Sequence, residues 1–92
     1  MTELRRNDQQ QRYEILNGSE VLGYAEYRPA GNATELPHTE VIGGHEGEGL
    51  GSQLAQYALN DLRSRGQQVI PSCPFIAHYI EQHPEYADLV QG

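Results

Sequence analysis

The sequence predicts an α+β fold: antiparallel strands followed by a helix–strand–helix unit. Three observations predict it. Two alternating stretches, "RYEIL" (Arg12–Leu16) and "VLGYAEYRP", flank the turn signal "NGSE". Leu50, Leu54, Tyr57, Ala58 and Leu62 recur at helical spacing, between glycines at 49 and 66. After that helix, "QQVIP" and "CPFIAHYIEQH" read as a short strand and a second helix.

Taken in order, residues 1–10 are polar and read as a flexible N-terminal segment, with the domain spanning 11–92. In the hairpin, Val21, Gly23, Ala25 and Tyr27 fall on one face, and Leu22, Tyr24 and Glu26 on the other. "AGNATELP" reads as a loop, and "HTEVI" (His38–Ile42) as a third strand. The main helix is expected over Gly49–Arg65, with Arg63 and Arg65 at the negative end of its dipole and Gly66 just past it. Val69 and Ile70 are expected in a strand beside His38–Ile42, joined by a right-handed crossover if the two are parallel. Pro74 sits in the first turn of the second helix and Pro84 ends it. The tail should pack back through Tyr86, Leu89 and Val90.

The chain has 92 residues, no lysine, and 13 acidic against 6 basic side chains, a net charge of −7. That balance argues against nucleic acid or an anionic membrane as partner, because both are held by neutralising phosphates. The one cysteine, Cys73, excludes an internal disulfide, and no apolar run resembles a leader or a membrane span. The expected location is the cytoplasm. The sequence leaves the oligomeric state open.

"GGHEGEGLG" (43–51) holds five glycines in nine residues, just ahead of the main helix. It is not a dinucleotide fingerprint, because Ser52 and Leu54 stand where that pattern needs glycine. Nor is it a nucleotide-triphosphate loop, because Leu50 replaces the lysine. A turn opening a helix remains, suited either to purely structural use or to an anion on free amides. The four histidines lack metal-ligand spacing, so no metal is expected. Cys73 is open to two readings: a small buried hydrophobe, or a thiol activated at a helix start.

Together, "HTEV" (His38–Val41), "GEGLGSQL" (Gly47–Leu54), "RGQQVIPSCPF" (Arg65–Phe75) and "HPEYADLV" (His83–Val90) resemble the small single-domain branch of the GNAT superfamily of acyl-CoA-dependent N-acetyltransferases. The resemblance runs from Arg12 to Val90 and implies the acyl-CoA N-acyltransferase fold with acetyl-CoA as cosubstrate. It implies that amides from about Gly47 to Ser52, through Gly49, Leu50 and Gly51, cradle the CoA pyrophosphate. It places the pantetheine arm between His38–Ile42, with Val41 and Ile42, and Gln68–Ser72. The acyl group would then end near Cys73 and Pro74. Relatives usually carry neutral or basic residues where this chain has Glu46 and Glu48. A carboxylate ~4 Å from a phosphate costs about 1 kcal/mol in water and about 4 at intermediate dielectric.

The same resemblance implies three catalytic candidates. Glu40 lies on the strand where many relatives place their base; the alternative is a solvated carboxylate. Tyr79, seven residues after Ser72, matches the tyrosine that protonates the leaving thiolate; the alternative is packing with Phe75 and Ile76. Cys73 could accept the acyl group itself, with His38 or His78 as its base. The acceptor is an unknown amine or a partner protein. The competing class is a non-catalytic CoA-binding or interaction module that has lost acetyl transfer.

Overall fold

The protein is described by a computed structural model covering residues 2–45 and 47–91. The strands are β1 (Thr2–Asn7), β2 (Arg12–Asn17), β3 (Glu20–Glu26), β4 (Arg28–Ala30), β5 (Ala33–Glu35), β6 (Thr39–Val41) and β7 (Gln68–Ile70). The helices are α1 (Leu50–Ser64) and α2 (Pro74–Gln82), followed by a 3₁₀ turn at Pro84–Leu89.

β1, β2, β3 and β6 form one antiparallel sheet; β4, β5 and β7 form a second. The β2–β3 turn consists of Gly18 and Ser19, with Gly18 at φ 64°. Between Ile15/Leu16 and Val21/Gly23 the register shifts by a bulge, which turns Leu22 into the core. The strict alternation expected along β3 therefore breaks at that residue.

α1 lies across this sheet and buries Leu50, Leu54, Ala55, Ala58, Leu59 and Leu62 against β2, β3, β6 and β7. Each leucine so buried contributes roughly 1.5–3 kcal/mol. The helix closes on Gly66 at φ 70°, whose amide donates to Arg63 O while Gln67 N donates to Leu62 O. Both orphan carbonyls are thereby satisfied. Gly23 lets this packing close: a Cβ there would stand 2.8 Å from Glu40 O and 3.4 Å from a methyl of Leu54. Tyr86 and Leu89 are buried, and Gln91 N donates to Val69 O, so the tail returns to β7.

Three expectations are corrected. Residues 2–7 are not a loose segment: β1 pairs residue for residue with β2. Its support is polar. Glu14 is 1% exposed and accepts hydrogen bonds from Arg5 (2.7 Å), Arg12 (2.6 Å) and Asn7 (3.2 Å). Arg6 lies over the Tyr27 ring and donates to Asp8, Tyr13 and Asp61, which ties β1 to α1. Second, "AGNATELP" is not a loop but holds β5, paired with β4 around Gly31 and Asn32.

Third, β7 does not lie beside His38–Ile42. It runs parallel to β5, and that ladder extends through Leu36 N to Ile70 O and Cys73 N to Leu36 O, both 2.9 Å. Pro37 then offers no amide. Beyond it the chain changes partner: Glu26 N donates to His38 O, and β6 pairs with β3. The two strands therefore part at Pro37, with β6 going to one sheet and Cys73 into α2.

Candidate functional site

β6 packs against α1, and Val41 at its end shares a pocket with the start of that helix. The first helical bond there is Gln53 N to Gly49 O, 3.2 Å, and no side chain caps the helix. The amides of Leu50, Gly51 and Ser52 thus have no acceptor inside the helix, and they carry the positive end of its dipole. Gly44, Gly47 and Gly49 all have positive φ, between 75° and 94°, and a Cβ at Gly47 or Gly49 would meet open space. The loop needs glycine for its backbone path rather than for room.

The residues that bear these amides line a pocket of about 280 Å³. Of the residues expected to bind cofactor, Val41, Gly47, Gly49, Leu50, Gly51 and Ser52 line it. Ile42, Cys73 and Pro74 do not. Ile42 is 38% exposed and its amide donates to Leu22 O, while Pro74 is exposed at the first position of α2.

Two further lining residues escaped the sequence reading, His45 and Phe75. Phe75 is 41% exposed and sits on Gly51, where a Cβ would come within 2.9 Å of its Cζ. The usable signal was Gly51 itself, a glycine inside a helix, which costs about 1 kcal/mol and so calls for a packing reason. Phe75 therefore does not join the buried face of α2, which Ile76, Tyr79 and Ile80 form.

Cys73 is 5% exposed and caps α2, and its thiol donates to Thr39 Oγ1 at 3.6 Å. Neither histidine considered as its base reaches it: His38 pairs with Glu40 (3.1 Å) and His78 with Glu81 (3.8 Å). Tyr79 is buried, stacked on His83 with ring centroids 3.9 Å apart, and it does not line the pocket. Burial, then the nearby Tyr86 and Glu85, push its hydroxyl above the ordinary range, so the proton stays on. Glu40 stands opposite Tyr24 across the β3–β6 ladder. By strand alternation it occupies the other face of β6 from Val41 and the pocket.

Glu48 is half exposed, with Oε1 3.5 Å from Nδ1 of His45. Its charge therefore does not confront the pocket alone. The matching expectation for Glu46 lies outside the described residues. Among the described residues no three His, Cys, Asp or Glu side chains gather to hold a metal, and no helix is long and apolar enough to cross a membrane.

No curated protein matches the sequence. The NMR solution structure of a GCN5-like candidate N-acetyltransferase from Staphylococcus aureus matches with a TM-score of 0.74. That match covers 98% of this chain and 88% of the other, at 25% identity. The model of the GCN5-related N-acetyl-transferase family matches residues 12–89, nearly the whole described domain with its split strands and glycine-lined helix start. The chain belongs to the GCN5-related N-acetyltransferase family.

Proposed function

We propose that the protein is an acetyl-CoA-dependent N-acetyltransferase of the cytoplasm, acting on an amine carried by a small molecule or a partner protein. The observation that carries this reading is the pocket at the start of α1, where uncapped amides and glycines meet Val41 of β6. Those amides suit a diphosphate, because an α-helix start offers donors and positive potential without a steric barrier. Leu50, Gly51 and Ser52 would hold it, and Val41 and Phe75 would flank the arm beyond.

Bound acetyl-CoA supplies an activated acyl group as a thioester. Glu40 is exposed on the face of β6 away from the pocket, and it would take the proton from an acceptor's ammonium that approaches from that face. The freed nitrogen lone pair forms the new C–N bond as the C–S bond breaks. Tyr79 keeps its proton at neutral pH, and the family resemblance, rather than its buried place outside the pocket, assigns it as the acid for the departing thiolate. The direct route is favoured over an acyl-cysteine, because Thr39 rather than a base accepts from Cys73.

Release of free thiol from acetyl-CoA in the presence of a panel of primary amines tests this. Tyr79→Phe keeps the ring and is expected to slow turnover by about tenfold or more with CoA affinity intact. Cys73→Ser is expected to retain turnover, and the intact mass of the parent to show no acetyl adduct. An adduct lost in Cys73→Ser would establish the covalent route instead. CoA binding without turnover for any amine would leave the non-catalytic module.

A further inference from the structure

We infer that His45 is a phosphate-binding residue: its imidazolium supplies the positive charge that the glycine loop otherwise lacks, and Glu48 holds that charge in place. The inference rests on the reading of this pocket as the CoA site. No arginine or lysine occurs between Arg28 and Arg63, and among the described residues His45 is the ionisable side chain that lines the pocket. Its position is fixed by the loop, since its amide donates to Ile42 O at 3.1 Å. Its side chain is 31% exposed, but Nδ1 is buried and makes no hydrogen bond.

A buried ring nitrogen without a partner is costly, and the cost points to what would relieve it. Glu48 Oε1, 3.5 Å away, is within ion-pair range though not hydrogen-bonded. Protonated, the ring becomes a donor at both nitrogens, one of them facing that carboxylate. The carboxylate that opposes a phosphate when alone thus becomes half of a neutral pair whose cationic member lines the pocket.

Imidazole is the side chain whose charge ordinarily changes near neutral pH. The elements packed around the pocket present Val41 from β6, Ser52 from α1 and Phe75 from α2, none of which changes charge there. Glu48 is the charged group of the loop itself, and Glu46 is His45's chain neighbour. Binding of a diphosphate should therefore depend on the protonation of His45.

Calorimetric titration of CoA into the parent, His45→Gln and His45→Arg, at about pH 5.5 and about pH 8.5, tests this. Titration of CoA's own phosphates is common to all three proteins and cancels in the comparison. At the lower pH the parent is expected to bind about tenfold more tightly than His45→Gln, and at the higher pH equally. His45→Arg should bind tightly at both and lose the parent's excess pH dependence. Thermal melts without ligand check that each variant is folded. Equal affinity of parent and His45→Gln at both pH values would overturn the inference and leave the CoA site standing. No CoA binding by any of the three would overturn the site, and the role of His45 with it.

Discussion

Gly51→Leu is expected to lower CoA affinity about a hundredfold, or about 2.7 kcal/mol, while leaving the domain folded. The separation follows from what surrounds Gly51. A Cβ there meets the tip of the Phe75 ring at 2.9 Å, and that ring is 41% exposed, so it can swing outward without disturbing the core. The helix itself gains, because leucine is the better helix former by somewhat under 1 kcal/mol. The pocket loses both ways: the new side chain fills it and Phe75 no longer walls it. Calorimetry with CoA and a ligand-free thermal melt read the two effects independently. Lost affinity together with an equally lost fold would mean that Gly51 serves packing rather than the ligand.

Glu14→Gln is expected to destabilise the fold by about 2 kcal/mol at neutral pH and to flatten its loss of stability in acid. Burial pushes the Glu14 carboxyl up, but hydrogen bonds from Arg12, Arg5 and Asn7 outweigh it and hold it below the usual range. A carboxyl depressed in the folded state contributes its stability above the unfolded pKa, near 4.3, and loses it as pH falls through the folded value. Asp61 acts in the same direction: burial pushes it up, but Tyr13, Arg65 and Arg6 hold it down. Urea unfolding from about pH 7 to about pH 3 should therefore show stability falling with pH, less steeply in the variant. An unchanged slope would place the acid sensitivity elsewhere.

That polar network also explains why β1 was illegible. "TELRRND" has no apolar alternation and, in Thr2, a single strand-forming side chain, and its pairing depends on Glu14 and Asp61 from other elements. Sequence patterning sees burial of apolar groups and cannot see a buried ion cluster whose members lie far apart in the chain. The main helix was legible for the opposite reason. Its apolar stripe, glycine start and glycine stop are local, and each agrees with the others.

The strand partners were harder. Pro37 was visible, but the meaning of its missing amide depends on which neighbours compete on either side. In the site, the glycines announced themselves because positive φ is a backbone property. His45 and Phe75 did not, since their roles come from a loop path and a helix packing that bring residues 45, 51 and 75 together. Tyr79 and Cys73, candidates that the sequence offered, are both buried and neither lines the pocket at α1.

The thermal melt of the unmodified protein with and without acetyl-CoA bears most directly on whether this glycine-lined helix start binds the cosubstrate. Acetyl-CoA at about 100 times Kd should stabilise the fold by about 2.7 kcal/mol, which raises the melting temperature of so small a domain by several degrees. In Gly51→Leu at the same ligand concentration the stabilisation should shrink to about 0.4 kcal/mol, as a hundredfold weaker affinity requires. An unmoved melting temperature up to millimolar acetyl-CoA, or an undiminished rise in Gly51→Leu, would contradict binding at this site.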